Sequence, residues 1–369
     1  MSGRRLLFVA DSLQVGGAER VLVDLAAGLV TRGDRVKLAV SVGGSLALEA
    51  ERAGIDVRVL GERLVTRRFD HDFADALSQL ISGDPPDLVH THMFASTVAT
   101  SEASCRFGVP LVIHEHSEAG WRDGAARRRA HVAYRGSSAV IAVSAAIGRR
   151  LVQLDRVPPE KIHVVINALP SLSHRLLGPG LPSGNGPLVG VVARLQPEKG
   201  VAVFLRAAGR LIQSVPAARF VVIGDGPQRA SLERLAASLG VPVTFMGFRL
   251  DGAALLGTLD LLVVPSFSEG TPLVVLEAAA AGVPVVASAV GGIPEQACRD
   301  VEALLVAPGD AAALEAACRR ILLDPALAAQ LAAAARRRLR AADPHAHLDA
   351  VEALYRQVLN PEPVELGTP

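Results

Sequence analysis

Short apolar runs alternate with helical segments along this chain of 369 residues, and the alternation limits the folds that it can adopt. Buried strands separated by helices are typical of parallel sheets with helices packed on both faces. The runs form two series. Between them, residues 168–187 are rich in Pro, Gly, Ser and Asn without periodicity, which predicts a linker. The sequence therefore predicts an α/β protein with two Rossmann-like domains that face an interdomain cleft.

Thirteen strands are predicted in the two series. The first seven cover residues 6–10, 36–41, 57–60, 88–90, 111–113, 139–143 and 163–166. The other six cover residues 188–193, 219–223, 243–246, 261–264, 283–287 and 303–306. We place the two domains at residues 1–167 and 188–344, and residues 345–369 form a last helix and a tail.

Composition restricts the class of function. Lys and Arg number 38 against 37 Asp and Glu, and this balance argues against nucleic-acid binding as the main role. The three cysteines, Cys105, Cys298 and Cys318, lack the spacing of a metal site and predict reduced thiols in a cytoplasmic protein. We expect neither a signal peptide nor a membrane span. Three residues are lysine against 35 arginines, so a lysine kept in a loop is a candidate for a specific role.

The segment 265–295 carries the most specific pattern. A predicted strand ends in a loop with Glu269, and a helix follows for which Thr271 suits the N-cap, Pro272 the first position and Gly282 the exit. Glu277 is the one charge in that helix, so it lies either on a solvated stripe or against a polar partner. Ligands of parallel sheets bind at the carboxyl ends of strands, where helix N-termini favour phosphate.

Two cations follow another predicted strand, in the order Arg194-Leu-Gln-Pro-Glu198-Lys199-Gly. At a strand exit just before a helix they could hold a diphosphate. A solvated loop with a Glu198–Lys199 pair is the alternative, and the scarcity of lysine favours a binding role.

Two glycine turns lie at comparable places. Gly224 begins a Gly-Asp-Gly turn after a strand, which alone is more often a tight turn than a ligand loop. Gly16 and Gly17 lie between the first strand and the first helix, where they let a ligand approach the backbone N–H groups. The spacing does not match a dinucleotide fingerprint, and a plain flexible loop is the commoner interpretation.

Histidines occur in two pairs at the ends of neighbouring strands: His90 and His92, then His114 and His116. The spacing within each pair allows a zinc site. Histidines with satisfied hydrogen bonds are the more common case, and we favour that interpretation. Both pairs are expected to lie at the same edge of the sheet.

For two further patterns, we prefer the interpretation that the residues lie on the solvated surface of the protein. Asp70-His71-Asp72 has the Asp-x-Asp form of a metal-binding motif but lies in a polar connector. A basic run around Trp121 suits either a solvated helix face or contact with an anionic membrane. That run comprises Arg122, Arg127, Arg128, Arg129 and Arg135.

The segment 265–295 resembles the donor-site signature of retaining glycosyltransferases of the GT-B fold, family 4. The likeness rests on two glutamates seven residues apart, Glu269 and Glu277, on the strand Gly-Val-Pro-Val-Val-Ala-Ser and on Gly291-Gly292. The run from Arg194 to Lys199 is similar to that family's Arg-Leu-x-x-x-Lys-Gly motif. The resemblance is strong over residues 188–310 and weaker over residues 1–166.

The resemblance implies a role for each candidate residue. Arg194, Lys199 and the backbone N–H groups near the helix start, which comprises Gly270, Thr271, Pro272 and Leu273, would hold the donor diphosphate without a metal ion. Glu277 would hold the ribose and Glu269 the sugar. His116 would contact the sugar near its reacting carbon, with His114 as the alternate. Gly16, Gly17 and Gly224 would lie beside the donor. Residues 1–167 would bind the acceptor and residues 188–344 the nucleotide sugar, and the last helix would cross back to the first domain.

The implied activity is transfer of a hexose, with glucose or N-acetylglucosamine favoured, from a UDP-sugar to an acceptor hydroxyl with retention. The acceptor is open between a lipid, a glycan, a protein and a natural-product aglycone. Two other functions fit the fold: a UDP-sugar 2-epimerase and a non-catalytic sugar-nucleotide-binding protein. Peripheral contact with the inner face of the membrane is left open.

Overall fold

The computed structural model describes residues 3–65, 69–170, 180–181 and 184–360. Residues 171–179 and 182–183 of the predicted linker, Arg67 and Arg68, and the tail after residue 360 lie outside the described residues. The chain divides into two compact units. The first comprises Met1–Asn167 with Pro344–Pro369, and the second comprises Ala168–Asp343.

The first unit alternates strands and helices. Its elements are β1 (Arg5–Ser12), α1 (Gly17–Thr31), β2 (Arg35–Val42), α2 (Ala47–Arg52), β3 (Asp56–Val59), α3 (His71–Gly83), β4 (Leu88–His92), α4 (Phe94–Phe107), β5 (Leu111–Glu115), α5 (Gly124–Gly136), β6 (Ala139–Ala142), α6 (Ala145–Asp155) and β7 (Ile162–Val164). The strands form one parallel sheet in the order β3-β2-β1-β4-β5-β6-β7. The strand order reverses between β1 and β4, which is where parallel sheets bind ligands.

The second unit repeats this plan with six strands. Its elements are β8 (Leu188–Val192), α7 (Val201–Ser214), β9 (Arg219–Ile223), α8 (Arg229–Ser238), β10 (Val243–Gly247), α9 (Gly252–Leu256), β11 (Leu261–Val264), α10 (Leu273–Ala281), β12 (Val285–Ser288), α11 (Ile293–Gln296), β13 (Leu304–Val306), α12 (Ala311–Leu323) and α13 (Pro325–Arg338). The parallel sheet has the order β10-β9-β8-β11-β12-β13. Here the order reverses between β8 and β11.

The last helix, α14 (Pro344–Leu359), belongs to the first unit. Its apolar face packs into the core that lies between α1 and the sheet, where Val351 and Tyr355 are fully buried. Glu352 on the same helix pairs with Arg4 and Arg32 at 2.5 Å each.

All thirteen predicted strands are present. Most are apolar runs buried on both faces, which leave little ambiguity, whereas β3 and β7 at the sheet edges are exposed or half-buried. β4 and β5 run further than predicted, to His92 and Glu115, so three of the four histidines lie inside strands. Among the described residues, no helix combines the length and the apolar character needed to cross a bilayer. All three cysteines are free thiols.

The Asp70-His71-Asp72 pattern is a helix start. Asp70 accepts a hydrogen bond from the backbone N–H of Phe73 at 2.9 Å and thereby caps α3. His71 and Asp72 are exposed on the first turn of that helix.

Candidate active site

The carboxyl ends of β8, β9, β11 and β12 bring four loops of the second unit together. A loop with Arg194 and Lys199 follows β8, and the Gly224 turn follows β9. The loop with Glu269 follows β11, and Gly291 follows β12. Because β8 and β11 are the strands at which the sheet order reverses, these loops lie where a parallel α/β sheet binds its ligand.

Two glycines allow the Glu269 loop to be held on both sides. Gly200 has φ +63°, and a Cβ there would lie 2.0 Å from the carbonyl oxygen of Pro265. Gly291 has φ +53°, and its Cβ would lie 1.8 Å from the carbonyl oxygen of Glu269. Only glycine tolerates both the positive φ and the close approach. The backbone N–H of Phe267 also bonds to the carbonyl of Glu198 at 2.8 Å.

Lys199 and Glu269 form the central contact of this site. The Lys199 ammonium lies 2.8 Å and 2.9 Å from the two carboxylate oxygens of Glu269. The hydroxyl of Ser266 donates to Oε1 of the same carboxylate at 2.7 Å. Glu269 is buried, whereas the Lys199 side chain is 21% exposed. Lys199 is therefore held by a buried carboxylate of another loop, which the alternative of a solvated loop did not include.

The Gly224 turn packs against the Arg194 loop. Gly224 has φ +138°, and a Cβ there would lie 1.9 Å from the carbonyl oxygen of Ala193. The backbone N–H of Leu195 bonds to the carbonyl of Asp225 at 2.8 Å. Arg194 itself is exposed, so its guanidinium is accessible to a ligand at the same edge.

Helix α10 starts one residue later than predicted. The first helical residue is Leu273, and the N-cap is Pro272 with φ −67° and ψ 125°, so the assignment of Thr271 as N-cap and of Pro272 as first helical residue is wrong. Proline is compatible with that extended backbone, and no side-chain hydrogen bond from the described residues caps the start of the helix at this position. The predicted end of the helix at Gly282 is confirmed, since this residue is the C-cap with φ +73°. Glu277 is half-buried one turn into the helix.

In the first unit, the loop after β1 carries Gly16 and Gly17. Gly16 is the N-cap of α1 and Gly17 is its first residue. A Cβ on Gly16 would lie 2.3 Å from Oε2 of Glu19, a buried carboxylate of the first turn. A side chain at this position would therefore displace the Glu19 carboxylate from its present place.

The four histidines form one cluster on a single face of the sheet. β4 and β5 are paired with His92 opposite His114, so side chains two residues apart share a face. His92 Nδ1 lies 2.8 Å from His116 Nε2, and His90 Nδ1 lies 2.5 Å from the Tyr355 hydroxyl. His114 stacks on His116 with ring centroids 4.3 Å apart. The expectation that both pairs meet at one edge is confirmed.

The expectation that these histidines have satisfied hydrogen bonds is wrong. Within the described residues, Nε2 of His90, Nε2 of His92 and both ring nitrogens of His114 are buried without a hydrogen-bond partner. Burial lowers the pKa of His90 to about 3 and the pKa of His116 to about 4, and it lowers the pKa of His92 and His114 well below the usual value. The four rings are therefore neutral at physiological pH.

Two residues near this edge, Asp11 and Met93, are notable in the structure but were not predicted from the sequence. Asp11 accepts hydrogen bonds from the backbone N–H and the hydroxyl of Ser96 at 2.8 Å and 2.6 Å. Burial raises the pKa of Asp11 to about 6. Met93, which joins β4 to α4, has φ +69°, a strained conformation for a residue with a side chain. A single Asp after an apolar run and a Met before a helix are too common to have been singled out.

Arg122 does not belong to the basic run of which it was predicted to be a member. It is buried, and its guanidinium lies 2.6 Å from Glu115 and 3.5 Å from Asp155. Tyr134 also donates to Glu115 at 2.5 Å. Arg128, Arg129 and Arg135 are the exposed members of the run.

Two parallel-sheet units of this kind, each with its ligand loops at the carboxyl edge, define the GT-B fold. The solved Anabaena protein Alr3699/HepE, in complex with UDP and glucose, superposes with a TM-score of 0.83 at 24% identity, over 95% of this chain and 99% of that one. That likeness concerns the fold.

Sequence comparison identifies the family. The model of the glycosyl transferases group 1 matches residues 179–338, and the model of Glycosyltransferase Family 4 matches residues 15–170. The chain is 31% identical over 351 residues to 2-deoxystreptamine N-acetyl-D-glucosaminyltransferase of Streptomyces fradiae, covering 84% of this chain and 83% of that protein. It is 33% identical over 268 residues to glycogen synthase of Mycobacterium tuberculosis, covering 69% of this chain and 64%, less than two thirds, of that relative. The chain belongs to the group 1, family 4 glycosyltransferases.

Proposed function

We propose that this protein transfers a hexose, glucose or N-acetylglucosamine being favoured, from a UDP-sugar to an acceptor hydroxyl with retention of configuration. The observation that carries the proposal is the Lys199–Glu269 contact at 2.8 Å, held at the carboxyl ends of the second sheet beside the start of α10. It joins a cation suited to phosphate and a carboxylate suited to sugar hydroxyls in one place.

The leaving group of such a transfer is a nucleoside diphosphate, whose developing charge needs cations and N–H donors. Lys199, Arg194 and the backbone N–H groups of Gly270, Thr271 and Leu273 supply them from the chain itself, since Pro272 has no N–H. An ammonium has three N–H donors, and with two of them on Glu269 a third is available for a phosphate oxygen. The diphosphate then needs no divalent ion, which is why we propose metal-independent transfer.

The two glutamates have separate tasks. Glu269 is fixed by Lys199 and Ser266, so its oxygens are oriented to accept from sugar hydroxyls. Glu277 lies one turn into α10 and would accept from the ribose hydroxyls. Gly224 lets the backbone after β9 lie close to the Arg194 loop, on the donor side of the site.

His116 would contact the transferred sugar near its reacting carbon. Its Nε2 is engaged with His92, so Nδ1 is the nitrogen that can face a ligand. The ring is neutral because burial lowers its pKa to about 4, so it acts through a hydrogen bond and not as a cation. Attack from the same face, with the leaving phosphate taking the acceptor proton, completes the proposed retaining course.

We assign donor binding to residues 188–344 and acceptor binding to residues 1–167, with Gly16 and Gly17 beside both the donor phosphates and the acceptor. The acceptor is a lipid, a glycan, a protein or a natural-product aglycone. Relatives that act on 2-deoxystreptamine and on glycogen are compatible with a small polyol or with a glycan. We also propose a cytoplasmic location, because the three cysteines are free thiols.

Contact of the protein with an anionic membrane would involve the exposed side chains of Arg128, Arg129 and Arg135. Sedimentation with vesicles that contain or lack anionic lipid tests this contact.

A thermal-shift screen against UDP-, GDP- and dTDP-sugars tests the donor, and mass spectrometry of trapped products then identifies the acceptor. Stabilisation by UDP-sugars with a glycosylated product supports the proposal. Conversion of the UDP-sugar to an epimer without any acceptor would replace it with the epimerase. Binding of UDP with no turnover against any acceptor class would indicate a sugar-nucleotide-binding protein.

A further inference from the structure

The histidine cluster contains an arrangement that the proposed transfer does not use. Nε2 of His90, Nε2 of His92 and a ring nitrogen of His114 have no hydrogen-bond partner within the described residues. The three side chains are buried, and their ligand atoms all lie within 4.8 Å of one another. A buried polar atom without a partner is destabilising, and among the described residues the cluster holds four such nitrogens, both ring nitrogens of His114 included.

We propose that His90, His92 and His114 bind a divalent transition-metal ion of the zinc class. Neutral imidazole nitrogens are the ligands that zinc, cobalt and nickel prefer, and three of them with an open fourth position is a common zinc geometry. The site lies in the first unit, whereas the proposed diphosphate ligands, Arg194 and Lys199, belong to the second. The proposed metal ligands are therefore different residues from the proposed diphosphate ligands.

The other ring nitrogens of two of these histidines are hydrogen-bonded to side chains. His90 Nδ1 lies 2.5 Å from the Tyr355 hydroxyl, and His92 Nδ1 lies 2.8 Å from His116 Nε2. A hydrogen bond at the second nitrogen orients a ligating histidine, and a hydroxyl oxygen or an unprotonated imidazole nitrogen can accept it. Among the described residues, the nitrogens of these two rings without a partner are then the two Nε2 atoms.

The distances need only local adjustment. A zinc–nitrogen bond of about 2.0–2.1 Å places tetrahedral ligand nitrogens roughly 3.3–3.4 Å apart. The span of up to 4.8 Å must then shorten by about 1.5 Å at most, which rotations of the imidazole rings can supply. Neutral rings also suit the ion, because a protonated imidazole cannot ligate.

Glu115 does not serve as a fourth ligand. It follows His114 along β5, so its side chain lies on the other face of the sheet, where Arg122 and Tyr134 bind it. The fourth position is left to water, hydroxide or a ligand oxygen.

The test measures metal content by mass spectrometry in full-length protein purified without a histidine tag. We expect about one equivalent of zinc, or of cobalt after growth on cobalt, and loss of that ion in His114→Leu. Exposed His71 provides the control, because His71→Gln removes a histidine outside the cluster and keeps the ion. Wild-type protein that holds no stoichiometric metal, even after incubation with Zn²⁺, overturns the proposal, as does equal retention by His114→Leu.

A stability measurement distinguishes a histidine cluster that binds metal from one that does not. If the cluster binds metal, His114→Leu loses a ligand and its melting temperature falls. If it does not, the same change removes two unpaired polar atoms from the core and the melting temperature rises, which overturns the proposal. X-ray absorption at the zinc edge of the wild-type protein counts the imidazole ligands and needs no variant to fold. Three or more nitrogen ligands support the site, and a fully hydrated ion contradicts it. These readouts do not depend on transferase activity.

Discussion

Replacing Lys199 by Met should separate the binding role of this lysine from its role in the fold. The substitution removes the ammonium at 2.8 Å from Glu269 and keeps much of the side-chain volume. A lost hydrogen bond to a charged group is worth about 1.5–3 kcal/mol, so the Kd for UDP should rise by about 10- to 150-fold. Loss of a contact to the leaving phosphate should lower kcat/KM by about 30- to 1,000-fold.

The same change should also destabilise the second unit. Removing one partner of a fully buried ion pair costs about 3–5 kcal/mol. Here the Lys199 side chain is 21% exposed and Ser266 still donates to Glu269, so we expect about 2–3 kcal/mol in urea unfolding. Adding Glu269→Gln removes the unpaired charge, so the double variant should recover most of that stability while its affinity for UDP stays at least about 10-fold weaker than wild type.

Lys37 offers a matched control, because it pairs with Asp84 at 2.6 Å and that aspartate is 61% exposed. Lys37→Met should change stability by less than about 1 kcal/mol and leave the calorimetric titration with UDP unchanged. Normal UDP affinity in Lys199→Met would refute the diphosphate assignment. So would a double variant that regains affinity together with stability, because the lysine would then act only through the fold.

Three further predictions follow from the same site and its neighbourhood. Glu277→Gln should weaken UDP binding by about 10- to 150-fold, whereas Glu269→Gln should leave UDP affinity nearly unchanged and reduce discrimination between sugar donors; equal losses for UDP in calorimetry would contradict this division. Turnover of the UDP-sugar should survive excess EDTA, and inactivation that Mg²⁺ or Mn²⁺ reverses would show that a metal holds the diphosphate. Burial raises the pKa of Asp11 to about 6 from an unfolded value of 3.8, so its contribution to stability is present below pH 4 and is lost as the pH rises to 6, by about 3 kcal/mol. Asp11→Asn can still accept from Ser96, so it should flatten this part of the pH–stability curve, and an unchanged slope between pH 4 and 6 would show that another group titrates there.

The strands and the donor-site residues could be predicted because their signals are local. Continuous apolar runs identify buried parallel strands, and the spacing of Glu269 and Glu277 places them on either side of a helix start. The start of α10 was misplaced because Thr271 and Pro272 suit several positions at a helix N-terminus, and only the backbone angles distinguish them.

The contacts that hold the site together depend on residues far apart in the chain. Gly200 and Gly291 are required because the carbonyls of Pro265 and Glu269 lie against them, which no local pattern encodes. Arg122 looks like the exposed arginines that follow it, and only its contacts with Glu115 and Asp155 show that it is buried. The histidine pairs were visible in the sequence, but the unpaired nitrogens follow from the register of β4 and β5.

Hydrogen–deuterium exchange of the full-length protein with and without UDP tests the central claim most directly, because it locates the donor site without any acceptor. With UDP bound, we expect slower exchange in residues 194–200, 224–228 and 269–277. We expect this protection to be lost in Lys199→Met at the same UDP concentration. Unchanged exchange rates in these three segments while UDP binds would contradict the assignment of the donor site. Protection that persists in full in Lys199→Met would also contradict it.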